Sequence, residues 1–445
     1  MPLVFIHGVN NRDTDEDYAR GVAARRTMFE ELVAATIVKR GFPDFKVAAD
    51  IYWGDLGVSF GWNLRSVPTT HVVESLGPEG SGAQNLDILQ LVSKTRPSKT
   101  EGVETLGTVP PLVDAAQQDP AGLVRAIFAP EADRFAVTDL KPPKAAMLES
   151  DVDKADAEGA HLGLLLMAAE QLARDVEKPE NRALIQGTTD SQVLNKIEEQ
   201  VQARYQQLAK PRLEAQASDK EHLGKGGNPI GWTLDHLKKM VNAAKNAVTG
   251  AVTETERGAS LVALKALRDG VSRRAFRFLG DVFVYLHHGR TAAPAIYERV
   301  KSGVLALNGR TNSKGEREPF IVVSHSFGSE IFYDLLISHQ LDAVTVDLWV
   351  TAGAQTSLFA EMLLFADIPQ PLPPDTSTFS LGRPPTVKKW VNFYDEADVL
   401  SYLHEPVFGS TAVKDIPVRA GANLTNAHGH YFADPGFYER IAKEL

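Results

Sequence analysis

Short apolar runs alternate with helical patterns at both ends of this sequence. Near the N-terminus, residues 3–6 form an apolar run that stops at Gly8, and a helical spacing of apolar residues follows. Beyond residue 293 the alternation returns. The strands are predicted at residues 3–6, 46–53, 320–323, 344–350 and 388–394, and the helices at 17–40, 294–307, 329–337 and 435–445. Short connections between such elements predict an α/β fold with a doubly wound, mostly parallel sheet flanked by helices.

The middle of the chain has a different character. Residues 58–140 are rich in Gly, Pro, Ser and Thr, whereas apolar stripes at helical spacing prevail over 151–275. We therefore expect a core made of residues 1–57 and 276–445, with a mainly helical insertion over 58–275. Because connections that leave the carboxyl edge of a sheet can cover a site there, the expected role of the insertion is that of a lid or cap.

Composition excludes several classes of function. With 47 basic and 57 acidic residues the formal charge is −10, so nucleic acid is not an expected partner. The chain has no cysteine, which leaves Ser, Thr, Lys or a carboxylate as a covalent catalyst. No apolar run approaches the roughly 18 residues that span a bilayer. A strand pattern at the N-terminus in place of a signal peptide predicts a cytoplasmic protein, and contact with a membrane surface stays compatible with the sequence.

The segment Ser324-His325-Ser326-Phe327-Gly328 lies between a predicted strand and a predicted helix. A nucleophile elbow has this context: its central serine occupies a strained turn, and the residues two before and two after it must be small. The turn also places the hydroxyl at a helix N-terminus, which favours the negative charge of a tetrahedral intermediate. Ser326 is therefore the predicted nucleophile.

The elbow and the N-terminal run Val4-Phe5-Ile6-His7-Gly8 together resemble the α/β-hydrolase superfamily, and within it the lipases and esterases. The resemblance implies backbone N–H donors to an oxyanion from Val9 and from Phe327, with His7, Gly8 and Gly328 in structural roles. The sequence departs from the usual pattern at one position, where Ser324 replaces a glycine.

The same resemblance implies an acid and a base after the serine in the chain. Asp398, in the segment after the strand predicted at 388–394, matches the acid best, and Asp395 is the alternative. Near the C-terminus, the segment Ala427-His428-Gly429-His430-Tyr431-Phe432 matches the pattern around the base. His428 is the expected general base, with His430 as the alternative.

The implied function is hydrolysis of a carboxylic ester, of a lipid or of a small molecule, through an acyl-serine intermediate. No cofactor and no metal are expected, since the adjacent His287 and His288 lack a carboxylate cluster and the glycines at 224–227 lack a phosphate-loop context. Two alternatives stay open: a catalytically inactive scaffold that binds a partner through the insertion, and a lipase-type toxin or defence effector. Acyl chain length, oligomeric state and the choice among ester, thioester, lactone and amide are not predicted.

Overall fold

The computed structural model describes residues 2–9, 16–59, 110–129, 149–218, 229–253, 278–289, 295–312, 314–366, 368, 379–418 and 427–445. Six parallel strands form one sheet in the order β2-β1-β3-β4-β5-β6. The strands are β1 (Pro2–Ile6), β2 (Lys46–Val47), β3 (Ile321–His325), β4 (Leu348–Ala352), β5 (Trp390–Tyr394) and β6 (Lys414–Pro417). Helices flank this sheet, which confirms the predicted α/β class.

Thirteen α-helices are numbered here in chain order within the described ranges. In the first half they are α1 (Glu16–Met28), α2 (Ala35–Lys39), α3 (Pro111–Gln118), α4 (Pro120–Phe128), α5 (Glu149–Glu177), α6 (Asp190–Ser218) and α7 (Pro229–Thr253). In the second half they are α8 (Ala295–Leu307), α9 (Phe327–Ile337), α10 (Thr356–Glu361), α11 (Glu405–Phe408), α12 (Ala427–His430) and α13 (Pro435–Glu444). A π-helical segment, Phe29–Ala34, joins α1 to α2.

Successive side chains of the central strands alternate between two apolar cores, one on each face of the sheet. On β1, for example, Leu3 and Phe5 lie in one core and Val4 and Ile6 in the other. The first core is completed by α1, by the helices of the insertion and by α13, and the second by α8, α9 and the helical residues 278–289. Burial on both faces explains why these strands read as continuous apolar runs.

The order in which successive strands are added to the sheet reverses at β1. The connection after β1 leads to β2 on one side, whereas β3 pairs with the other side of β1, with Ile6 opposite Ser324. In open parallel sheets the crevice at such a reversal, at the carboxyl ends of the strands, is the usual place for a ligand. Ser326 follows β3 at this point.

Two edge strands differ from the sequence-based expectation. The strand predicted over 46–53 is reduced to Lys46–Val47 and a single bridge between Ile51 and Ile6. Val47 pairs with Leu3 and Ile51 with Ile6. The segment on the β2 side is thus one residue longer than the segment on β1, and the extra residue interrupts the ladder as in a β-bulge. At the opposite edge β6 was not predicted, because its sequence Lys-Asp-Ile-Pro is polar and only partly buried.

The described helices of the insertion extend the core of the sheet. On α5, Gly159 and Gly163 face α1 so closely that a Cβ atom on Gly163 would lie 2.8 Å from the carbonyl oxygen of Ala24. Apolar residues of α5, α6 and α7 belong to the same core as the first face of the sheet. Residues 60–109, 130–148, 219–228 and 254–275 of the insertion lie outside the described ranges, and the lid stays a prediction.

No helix in the described ranges combines the length and the apolar character needed to cross a membrane.

Candidate active site

Ser326 occupies a strained turn between β3 and α9. Its backbone has φ 49° and ψ −135°, in a region that residues with a side chain rarely adopt. The Ser326 N–H donates to the carbonyl oxygen of Ala352 at the end of β4 (3.0 Å), which holds the turn. The serine is 1% exposed, and its Oγ has no hydrogen-bond partner among the described residues. The turn therefore presents a buried hydroxyl that no other described residue engages in a hydrogen bond.

Two glycines let the strand ends approach this turn. A Cβ atom on Gly8 would lie 2.6 Å from the Cβ of Ser326 and 3.2 Å from its Oγ. A Cβ atom on Gly328 would lie 2.7 Å from the carbonyl oxygen of Ile6. Real Cβ atoms do not approach other atoms this closely, so both positions require glycine.

His7 is engaged in the support of this loop. Its Nδ1–H donates to the carbonyl oxygen of Gly8 (2.6 Å), and its Nε2 accepts from the N–H of Trp53 (3.0 Å). The indole of Trp53 stacks on the imidazole with ring centroids 5.0 Å apart, and its N–H donates to the His7 carbonyl (2.8 Å). With these contacts His7 fixes the path of the chain on either side of Gly8.

The two expected oxyanion donors follow residues that form the turn. Val9 follows Gly8, which packs directly against the serine, and Phe327 is the first residue of α9. Backbone N–H groups in the first turn of a helix have no partner within the helix and attract negative charge. The arrangement suits an anion that forms beside Ser326.

Asp398 and His428 form a hydrogen-bonded pair in which the acid is buried and the imidazole partly exposed. The Nδ1–H of His428 donates to Asp398 Oδ2 (2.9 Å), and Oδ1 lies 3.1 Å away. The carboxylate also accepts from the Tyr431 hydroxyl (3.0 Å) and from the Leu400 N–H (2.9 Å). Burial raises the pKa of Tyr431 well above its ordinary value, and the adjacent Asp398 charge raises it further, so the phenol stays a donor. The Asp398 side chain is 1% exposed and that of His428 is 20% exposed.

Gly353, the residue after β4, leaves room for this pair. Its φ is 56°, and a Cβ atom there would lie 3.0 Å from Asp398 Oδ2 and 3.2 Å from His428 Nδ1. The Ser326 N–H is hydrogen-bonded to the carbonyl oxygen of Ala352, the residue before Gly353. Both the elbow and the Asp398–His428 pair therefore contact the same short stretch of chain at the end of β4.

The imidazole of His428 lies next to the elbow. Its ring centroid is 4.7 Å from that of His325, the residue before Ser326. With Nδ1 directed at Asp398, the opposite nitrogen, Nε2, is left buried and without a hydrogen-bond partner in the described part of the chain. The Ser326 hydroxyl is likewise buried, and neither of these two atoms forms a hydrogen bond with the other or with any other described residue.

The alternative acid and the alternative base lie elsewhere. Asp395 accepts from the N–H of Ala397 (2.8 Å) and caps the turn that leads to Asp398. His430 is buried beside a cavity of about 450 Å³ that Arg125 and Glu170 also line. Burial lowers the pKa of His430 to about 4, so its imidazole is neutral. Of the two histidines, His428 is the one whose imidazole is hydrogen-bonded to Asp398 in the described part of the chain.

A second group of polar residues supports the acid loop. The N–H of Gln355 donates to the Glu330 carboxyl group (2.8 Å), and the Gln355 side-chain amide donates to the carbonyl oxygens of Gly353 (2.6 Å) and Leu400 (2.5 Å). Glu330 is 1% exposed, and burial raises its pKa to about 8. Gln355 thus ties α9 to the loop that carries Asp398.

Ser324 has a structural reason to depart from glycine. Its Oγ accepts from the indole N–H of Trp349 (2.9 Å) and lies 2.9 Å from the Oγ of Ser329. All three side chains are fully buried. The hydroxyl group therefore satisfies an indole that would otherwise be buried without an acceptor.

Sequence reasoning overlooked the roles of His325, Gln355 and Glu330 and the contact of Tyr431 with the acid. The partners of these side chains are distant in the chain, so the motif pattern does not reveal them. The available signal was proximity in the sequence: His325 and Glu330 lie near Ser326, Gln355 lies just after β4, and Tyr431 lies near His428.

Within the described residues, no group of three or more His, Asp or Glu side chains could hold a metal ion. Comparison of the chain with protein-family models, with curated proteins and with solved structures found no match.

Proposed function

We propose that this protein is a serine hydrolase of the α/β-hydrolase type that cleaves carboxylic esters through an acyl-serine intermediate. The observation that carries the proposal is the combination of the strained Ser326 turn with the neighbouring Asp398–His428 pair. Ser326 Oγ and His428 Nε2, the two atoms that would exchange a proton, are both buried; among the described residues neither is bonded to the other or held by a competing partner.

In the first step, Ser326 Oγ attacks the carbonyl carbon of the ester while its proton moves to His428 Nε2. The positive charge that forms on the imidazole is balanced by the Asp398 carboxylate, which already accepts the Nδ1–H at 2.9 Å. Because Tyr431 and the Leu400 N–H also bind this carboxylate, it needs no rearrangement as the charge appears.

The carbonyl oxygen becomes an anion in the tetrahedral intermediate, and the N–H groups of Val9 and Phe327 would stabilise it. When the bond to the leaving oxygen breaks, that oxygen takes the proton from His428 Nε2 and departs as the alcohol. Water then attacks the acyl-serine and gives a proton to His428 Nε2. The carboxylic acid product leaves as Ser326 Oγ takes that proton from Nε2.

Apolar side chains exposed on the loops after β4 and β5 favour an apolar acyl group. Met362 and Leu363 follow α10, and Val399 and Leu403 belong to the loop of Asp398; they are 48, 40, 67 and 45% exposed. Both loops leave the carboxyl edge of the sheet, the edge at which Ser326 lies. An inactive scaffold is the weaker interpretation, because a strained backbone of this kind costs about 1–3 kcal/mol and has no use in a protein that does no chemistry.

The test is labelling of the purified protein with a fluorophosphonate probe, followed by hydrolysis of p-nitrophenyl esters of increasing chain length. We expect Ser326→Ala and His428→Asn to abolish labelling and to lower kcat/KM by at least about 1,000-fold. Ser338→Ala and His339→Asn are matched controls: Ser338 follows α9, and His339 is exposed with φ 60°, a conformation that asparagine tolerates.

Labelling of Ser326→Ala at the wild-type rate would exclude this serine as the nucleophile. A folded wild-type protein that neither reacts with the probe nor hydrolyses any ester would overturn the proposed function.

A further inference from the structure

The imidazole of His325 contacts the segment that carries His428 in two ways. Its Nε2–H donates to the backbone carbonyl oxygen of His428 (2.8 Å), and the two rings lie 4.7 Å apart at 39°. A carbonyl oxygen can only accept, so this hydrogen bond requires the tautomer of His325 that carries its proton on Nε2.

The surroundings of His325 keep its ring in one orientation. Phe432 packs edge to face against the ring with centroids 5.0 Å apart, and the residue is 4% exposed. Burial lowers the pKa of His325 well below its ordinary value, and the neighbouring His428 lowers it further. The ring is therefore neutral, and a neutral ring beside His428 adds no charge that would oppose the imidazolium of the proposed mechanism.

We infer that His325 is a positioning residue, which holds the backbone of His428 so that Nδ1 of its imidazole stays on Asp398 and Nε2 stays available for the proton of Ser326. This inference rests on the proposed function. His325 is the last residue of β3 and directly precedes Ser326 in the chain. Its hydrogen bond to the His428 carbonyl oxygen therefore links the turn of the proposed nucleophile to the segment of the proposed base. A displacement of about 1 Å in such a pair is enough to cost roughly 100-fold in rate.

The matched pair of variants is His325→Gln and His325→Asn. The amide nitrogen of glutamine can take the place of Nε2 and reach the His428 carbonyl, whereas that of asparagine is one methylene too short. Both are neutral amides in the same buried position, so their cost to folding is similar. His325→Phe is a third variant, which keeps an aromatic ring against Phe432 and removes the donor.

Two measurements are made on each folded variant. In the first, we expect His325→Asn and His325→Phe to lower kcat and the rate of fluorophosphonate labelling by about 10- to 100-fold with little change in KM, and His325→Gln to retain most of the wild-type rate. The urea midpoint of each variant shows whether a fall in rate follows a fall in stability.

The second measurement does not require hydrolysis. The His428 Nδ1 proton, held by Asp398, should give a low-field proton NMR signal in the wild type and in His325→Gln, and the signal should be lost or broadened in His325→Asn. A signal that persists unchanged in His325→Asn and His325→Phe would overturn the inference, as would equal rate losses in the glutamine and asparagine variants. Absence of labelling in the wild type would instead count against the proposed function, and the NMR comparison would still decide the role of His325.

Discussion

Among single residues, the turn around Ser326 depends on buried polar side chains that form hydrogen bonds with one another. Ser324 shows this most directly, because its hydroxyl accepts a hydrogen bond from the indole N–H of the fully buried Trp349 (2.9 Å). A glycine at position 324 would fit the turn equally well but would leave that N–H without an acceptor. A buried donor without a partner costs about 1–3 kcal/mol.

We therefore expect Ser324→Gly to destabilise the protein by about that amount, although glycine is the residue that the resemblance would place there. Trp349→Phe removes the donor, so Ser324→Gly should cost less in the Trp349→Phe background than in the wild type. Urea unfolding of the wild type, the two single variants and the double variant gives the coupling energy. Additive costs would show that the hydroxyl and the indole do not interact.

At the scale of elements, α9 does more than present Ser326 at its N-terminus. Its fourth residue, Glu330, accepts from the Gln355 N–H and from the Thr356 hydroxyl, and the second oxygen of its carboxyl group has no partner in the described ranges. The helix thereby fixes the start of α10 and, through the Gln355 side chain, the loop of Asp398. A buried carboxyl group in this place is protonated at neutral pH, since burial raises its pKa to about 8.

This raised pKa predicts how stability depends on pH. Glu330 binds a proton in the folded protein up to about pH 8, whereas in the unfolded chain it releases the proton near its ordinary value of 4.5. Its contribution to the free energy of unfolding is therefore complete below pH 4.5 and is lost as the pH rises to about 8. Glu330→Gln keeps the acceptor oxygen and cannot ionise.

We expect the wild type to lose stability relative to Glu330→Gln as the pH is raised from 5 to about 8, by up to ~1.4 kcal/mol per unit. Urea midpoints of both proteins across this range provide the measurement, and Glu316→Gln, in an exposed turn, is the control. Parallel pH profiles for the wild type and Glu330→Gln would mean that Glu330 is ionised in the folded protein.

The elements that the sequence predicted well are those whose pattern arises from local chemistry. The strand before Ser326 is a run of buried β-branched residues, and β5 lies within residues 388–394 as expected. The sequence missed β6 because pairing to β5 through the backbone, with Tyr394 opposite Pro417, leaves no apolar signal. Likewise Asp398 and His428 could be selected from the motif pattern, but the contacts of His325 and Gln355 depend on tertiary packing.

Across the described part of the chain, the helices of the insertion and the sheet share one apolar core. Gly159 and Gly163 of α5 lie against α1, which itself covers the sheet. At the other end of α5, Arg174 is paired with Glu439 of α13 at 2.7 Å, and Arg125 of α4 is paired with Glu170 at 2.9 Å. The insertion is thus joined to both terminal helices of the core.

Such packing predicts that the insertion and the core unfold together. Gly159→Leu should overpack the contact between α5 and α1, where a Cβ atom would already lie 2.7 Å from the Cβ of Ala23, and should lower stability by about 1–3 kcal/mol or more. Urea unfolding followed by circular dichroism and by tryptophan fluorescence should give one shared transition, displaced in the variant. Ala160→Leu, at the neighbouring and partly exposed position, is the control.

Two separate transitions, with the helices lost before the sheet, would contradict this expectation and would favour an insertion that folds by itself.

The ion pair between Arg174 and Glu439 has a consequence for the history of this chain. It ties α5 to α13, which begins seven residues after His428. A descendant that discarded the insertion would expose one face of its sheet and release the helix next to its base in the same event. We therefore expect deletion of the insertion to expose apolar residues of the sheet and to leave α13 without one of its packing partners, so the two segments should tolerate exchange better together than singly.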